Sequence, residues 1–183
     1  MDKGQKIASV GKLFEKFQHL HKEYGQLWMD ETFLHWDWWL SVLFSVGSWG
    51  FWIFYRKKES THRLLYAGIF IIALSLCLDY IGTALGLWYY TGKLTPSFPA
   101  WLPYNLCMLP VSIMFLIQTK PHIAGWKKGI FYGWVTAFIG EPIFVWLGFY
   151  VMTGWHYIYS ILPYALIYIF AEWLTKRDTF QNV

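Results

Sequence analysis

The sequence predicts an all-α integral membrane bundle of five transmembrane helices plus an N-terminal amphipathic helix, and three observations carry that prediction. Hydrophobic residues make up 56% of the 183-residue chain and charged residues only 14%, against about 45–50% and about 25% in soluble domains. Aromatic residues reach 22%, with 13 Trp and 13 Tyr, side chains that gather at membrane–water interfaces because the ring faces both phases. Five apolar runs approach the roughly 20 helical residues that cross a bilayer core. A β-barrel would need alternating segments of about ten residues, and none is seen.

The runs are 36–55, 64–88, 100–118, 129–151 and 156–174. Helix is the expected conformation of each, because backbone groups in lipid must be satisfied within the segment. Loops between them alternate in charge. Arg56, Lys57, Lys58 and Arg63 follow the first run, Lys120, Lys127 and Lys128 the third, and Lys176 and Arg177 the fifth. The other two loops hold only Lys93. Cytoplasmic loops are rich in Lys and Arg, so the C-terminus is expected in the cytoplasm and, with five spans, the N-terminus outside. The first 35 residues balance five Lys against five acids, which permits export.

Ahead of the spans, Ile7, Val10, Leu13, Phe14, Phe17, Leu20, Tyr24, Leu27 and Trp28 recur at helical spacing with Lys6, Lys12, Lys16 and Lys22 mostly between them. That is the pattern of an amphipathic helix, suited to the outer bilayer surface or the mouth of the bundle. This segment lacks the apolar core of a cleavable signal peptide, so none is expected. The expected organisation is an extracytoplasmic helix at 1–32, a transmembrane domain at 33–176 and a cytoplasmic tail at 177–183, with no internal repeat evident. Cys77 and Cys107 fall within apolar runs and read as small buried hydrophobes, not a disulfide. Net charge is +4, but the basic residues cluster beside apolar runs, an orientation signal and not a nucleic-acid stripe.

Two acids stand well inside spans, Asp79 in the second and Glu141 in the fourth. Insertion of an aspartate near a helix centre costs about 2.5–3.5 kcal/mol, so each asks for a reason. Glu172 is near the inner end of its span, within reach of Lys176, and Asp37 lies at an outer edge. Ser75, Asp79, Gly82, Thr83 and Gly86 share one helix face, and Gly129, Gly133, Ala137 and Glu141 step by four. Small residues mark faces where helices approach closely in lipid, so both acids should point into the bundle. Each lies about two to three turns before the outer end of its span. Tyr104, Asn105 and His156 sit toward the same end, giving a candidate polar pocket of Asp79, Glu141, Asn105, Tyr104 and His156 in the outer half, with Trp101 and Trp155 around its mouth. The plainer reading is a protonated carboxyl that ties helices together. Pro110, Pro142 and Pro163 within spans predict kinks and freed carbonyls. No metal or cofactor is expected: His-x3-His, Cys-x2-Cys, phosphate-loop and nucleophile-elbow patterns are all missing.

The stretch "LDYIGTALGLWYYTGKLTPSFPAWLPYNLCMLPV", with "WDWW" and "WGFW" before it, resembles a family of small uncharacterised polytopic membrane proteins of spore-forming Gram-positive bacteria, across most of residues 30–175. The resemblance implies a multi-pass bacterial plasma-membrane protein without an assigned activity. Asp79, Gly82, Gly86 and Trp88 also resemble the first motif of the lycopene cyclase domain. The paired acids of its second motif are replaced by Pro103, Tyr104, Asn105 and Leu106, so that resemblance carries over Asp79 alone, as a scaffold residue. The leading functional expectation is a non-enzymatic membrane protein whose outer pocket binds a small, lipid-like or protein partner. The expected partners are the lipid bilayer, a lipid or isoprenoid ligand, and a homo-oligomer or partner subunit, with no nucleic acid. The alternatives are a membrane enzyme acting on an isoprenoid or lipid with Asp79 and Glu141 as acid and base, and a proton-coupled small-solute carrier or carrier subunit.

Overall fold

The computed structural model describes residues 2–177; of the tail expected at 177–183, residues 178–183 lie outside the described residues. The fold is all-α. Its six helices are α1 (Lys3–Glu31), α2 (Trp36–Tyr55), α3 (Thr61–Ala84, entered through a 3-10 turn at Lys58–Ser60), α4 (Pro103–Gln118), α5 (Gly125–Trp146) and α6 (Tyr157–Thr175). Two short strands, β1 (Trp88–Tyr90) and β2 (Tyr150–Met152), form an antiparallel pair.

Among the described residues three helices, not the expected five, are long and apolar enough to cross a membrane: Lys58–Ala84, α5 and α6. The reasons the other two fall short differ. α2 has 20 residues, and its five Trp, three Ser and two Gly lower its mean hydropathy. α4 is a six-residue π-helical turn followed by ten α-helical residues, shorter than the roughly 20 residues a bilayer core requires.

The π turns in α4 (Pro103–Met108) and α5 (Thr136–Gly140) each end just before a proline, Pro110 and Pro142. Proline has no N–H and crowds the carbonyl one turn back, so the helix widens upstream of it. Pro110 leaves the Leu106 carbonyl without its helical donor, and Trp49 Nε1 of α2 donates to that oxygen at 3.2 Å. The kink therefore fastens α2 to α4.

The bundle has two chemically distinct ends. At one, the Lys57 backbone N–H donates to Gln118 Oε1 at 3.0 Å, Lys128 Nζ donates to the Thr119 carbonyl at 2.7 Å, and Lys176 pairs with Glu172 at 3.0 Å. The basic loops thus gather together. At the other end, β1 and β2 tie the loop after α3 to the loop after α5. Between the ends, Ala67 and Ile71 of α3, Leu109 and Ile113 of α4, and Tyr168 and Ala171 of α6 form the buried core. α5 and α6 approach closely because α5 presents glycine: a Cβ at Gly133 would lie 2.5 Å from the Ile161 carbonyl oxygen.

α1 is helical throughout, but only its last turns dock. Trp28 Nε1 donates to the Lys93 carbonyl at 2.7 Å, and Lys93 Nζ donates to the Phe98 carbonyl at 3.0 Å while lying 4.7 Å from the Tyr24 ring centre. Burial holds the Lys93 ammonium below its ordinary range and the Tyr24 phenol above its own. The apolar positions from Ile7 to Leu20 remain exposed. Cys77 and Cys107 are both free; Cys107 is buried, but Cys77 is exposed, contrary to its expected burial.

Candidate functional site

The site is built from two local units of the same design, a repeat the sequence alone did not suggest. α3 and α5 each end in a glycine with positive φ, Gly86 at 69° and Gly148 at 81°. After α3, the Gly86 N–H bonds the Thr83 carbonyl and the Leu87 N–H the Gly82 carbonyl; after α5, the Gly148 N–H bonds the Val145 carbonyl and the Phe149 N–H the Phe144 carbonyl. Both are Schellman caps, which need a left-handed residue that only glycine supplies without strain. Each cap leads directly into a strand, and the strands pair symmetrically about Tyr89 and Val151, each three residues beyond its glycine. Asp79 stands seven residues before Gly86, and Glu141 seven before Gly148. Identical spacing from identical caps, joined by one strand pair, brings the two carboxyls to the same level.

Asp79 is 8% exposed and fully engaged. Oδ1 accepts from Tyr90 Oη at 2.7 Å and from Trp88 Nε1 at 3.2 Å, and Oδ2 accepts from Asn105 Nδ2 at 2.5 Å. The local chain explains this. Residues 88 and 90 share a face of β1, and the Gly86 turn folds that face back over the last turn of α3. Gly82 makes room, since a methyl there would overlap the Trp88 ring. Asn105 arrives from the π turn of α4.

Glu141 is 7% exposed. Ser160 and Tyr164 of α6 are its hydrogen-bonding neighbours, yet Oε2 has no partner among the described residues. The buried Tyr104 hydroxyl lies beside that of Tyr164. Glu141 and Tyr104 line a cavity of about 290 Å³ that Asp79, Asn105 and Tyr90 also line. Its outer wall is apolar and open to the side: Leu78, Ile81 and Leu85 of α3 are 37%, 53% and 68% exposed. Pro163 and Ile167 of α6 also line the cavity. Trp155 lies over it, edge-on to Trp88 at 5.2 Å, with its Nε1 bonded to Ser160 Oγ at 2.8 Å.

Four of the expected pocket residues, Asp79, Glu141, Asn105 and Tyr104, border this one cavity. His156 does not; it is the exposed residue before α6, with its ring against Tyr159. Trp101 is also displaced from the expected mouth: it is 2% exposed and donates to Ser41 Oγ at 3.0 Å, and that hydroxyl donates to the Gly92 carbonyl at 2.7 Å. Trp88 and Tyr90 are not among the pocket residues expected from the sequence, where "WYY" at 88–90 reads as an aromatic belt at the outer end of the second span. The signal was the glycine two residues ahead of Trp88, which turns the belt inward.

Among the described residues no group of three His, Cys, Asp or Glu side chains could hold a metal. The arrangement defines an all-helical protein with three helices apolar enough to span a membrane and a laterally open cavity over two buried carboxyls. No family model matches the chain, and no curated protein or solved structure matches it either.

Proposed function

We propose that the chain is a five-span bacterial plasma-membrane protein that binds a small lipid-like molecule in the cavity between α3 and α6. In this reading the strand-paired end faces outward, the basic end faces the cytoplasm, and the protein belongs with the small polytopic membrane proteins its sequence resembles. α2 and α4 complete the set of spans. The outward side chains of α2, among them Leu43, Val46 and Phe54, are exposed and apolar, as a lipid-facing surface requires. α4 is short but enclosed, with Leu109, Ile113 and Met114 at most 1% exposed. Irregular backbone at membrane depth is tolerated when protein surrounds it.

The observation that carries the reading is the pairing of a polar floor with an apolar, laterally open wall. An amphiphile sliding in from the bilayer would keep its chain against Leu78, Ile81 and Leu85 while its head meets Glu141 and Tyr104. A cavity of about 290 Å³ is near the lower end of the roughly 300–1,000 Å³ of small-molecule sites, so the head is small. The test is mass spectrometry of lipids that co-purify in mild detergent with the wild-type chain and with Ile81→Trp, whose ring would obstruct the opening. The expected result is one amphiphile class retained by the wild type and depleted in the variant. Equal lipid profiles for both would refute the reading.

A catalytic or proton-relay reading places unequal demands on the two acids. Asp79 already accepts three hydrogen bonds, whereas Glu141 keeps a free oxygen, so Glu141 would be the group that gives or takes the proton. Loss of turnover or of pH-driven transport on Glu141→Gln, with Asp79→Asn still active, would favour that reading.

A further inference from the structure

We infer that the cavity selects a positively charged head group, an organic ammonium carried on a short apolar chain. The inference rests on the binding reading above and names the class of ligand. Three independent features lead to it. First, the cavity holds two carboxyls, and no Lys, Arg or His is among its lining residues, so any charge its side chains carry is negative. A buried carboxyl stays neutral unless it is paired or met by a cation, so a cationic ligand is the one that favours its ionised form, whereas an anionic head, whether phosphate, sulfate or carboxylate, finds no positive group to offset it. Second, Glu141 is 93% buried by its 7% exposure, it lines the cavity, and its Oε2 has no hydrogen-bond partner among the described residues. Asp79 does not compete for the ligand, because its oxygens are occupied by Tyr90, Trp88 and Asn105. Third, six aromatic rings line the same space: Trp88, Tyr90, Tyr104, Tyr150, Trp155 and Tyr164. Rings attract cations through their negative faces, and an aromatic cage is the usual receptor for alkylammonium groups. A neutral alcohol would satisfy Glu141 Oε2 equally well but gains nothing from the rings or the field.

The head group is tested with three matched probes, decyltrimethylammonium, decanol and decanoate. Each is measured by equilibrium dialysis against the full chain in maltoside micelles, with protein-free micelles subtracted. The ammonium is expected to bind saturably and at least tenfold more tightly than the alcohol, and decanoate not at all. Glu141→Gln should weaken the ammonium at least tenfold and change the alcohol less than twofold. Tyr150→Leu removes a lining ring that hydrogen-bonds neither carboxyl and should weaken the ammonium several-fold, which keeps the inference testable if the glutamine variant fails to fold. Decanol binding as tightly as the ammonium, or ammonium binding indifferent to both substitutions, would overturn the charge selection while leaving the pocket itself in place. No saturable binding of any probe would end both proposals.

Discussion

Asp79 and Glu141 occupy equivalent places in two equivalent units, yet one is saturated and the other is not. The difference traces to the strand that follows each glycine cap. Two and four residues after Gly86 come Trp88 and Tyr90, whose N–H and O–H both reach Asp79. Two and four residues after Gly148 come Tyr150 and Met152. Methionine has no proton to donate, and Tyr150 stacks on Tyr90 at 5.4 Å. The α3 unit therefore closes over its acid, and the α5 unit leaves its acid open. A buried acceptor that is fully hydrogen-bonded acts as a structural joint, whereas one left unpaired costs stability that a ligand can return. The same design thus supplies one residue for architecture and one for recognition.

The comparison is broken most severely at Asp79. Asp79→Ala removes the acceptor from three donors at once, the buried Asn105 and the half-buried Trp88 and Tyr90, and a buried donor left unsatisfied costs about 1–3 kcal/mol. The expected loss is about 3 kcal/mol or more of unfolding free energy in micelles, read from circular dichroism during reversible denaturation. A loss below about 1 kcal/mol would mean the carboxyl is not the joint described. Gly82→Ala comes next. The new methyl overlaps the Trp88 ring, and overpacking of this kind costs about 1–3 kcal/mol. Its effect should shrink markedly in an Asp79→Ala background, because both changes release the same indole; full additivity would separate Gly82 from the joint. Tyr90→Phe is smaller again. It deletes one hydrogen bond to a charged group, worth about 1.5–3 kcal/mol, while the ring keeps its stacking on Tyr150. The lower end of that range is expected, since Trp88 and Asn105 still serve the carboxyl.

Much of this arrangement was legible from the residues because lipid makes polar groups and small residues informative. Asp79 and Glu141 lie on faces lined with Ser, Gly and Ala, and those faces are buried: Ser75, Gly82, Gly133 and Ala137 all face protein. What escaped prediction depends on contacts distant in sequence. The β1–β2 pair joins residues some sixty positions apart through three-residue strands, too short to leave an alternating pattern. The inward turn of Trp88 and Tyr90 depends on the conformation of Gly86, which composition does not reveal. His156 shared an end of the bundle with the acids, but position along a helix does not fix direction, and the residue before α6 points away. Three of the five expected spans are helices long and apolar enough to cross a membrane by themselves, whereas α4 is short and enclosed by its neighbours.

The smallest stability effect is expected where the sequence looks most unusual. Glu141→Gln keeps shape and removes a charge whose Oε2 contacts no protein donor. Replacing a group with no partner forfeits no hydrogen bond at that atom, and a neutral amide is cheaper to bury than a carboxylate. The amide carbonyl can still accept from a hydroxyl of Ser160 or Tyr164, the hydrogen-bonding neighbours of Glu141. The unfolding free energy should therefore stay within about 0.5 kcal/mol of the wild type or rise slightly, in contrast to Asp79→Asn, where two amide N–H groups would confront each other at Asn105. If Glu141→Gln is instead as damaging as Asp79→Ala, then Glu141 is held by the protein as firmly as its counterpart. The asymmetry between the two units would then disappear, and with it the reason to look for a ligand at the open one.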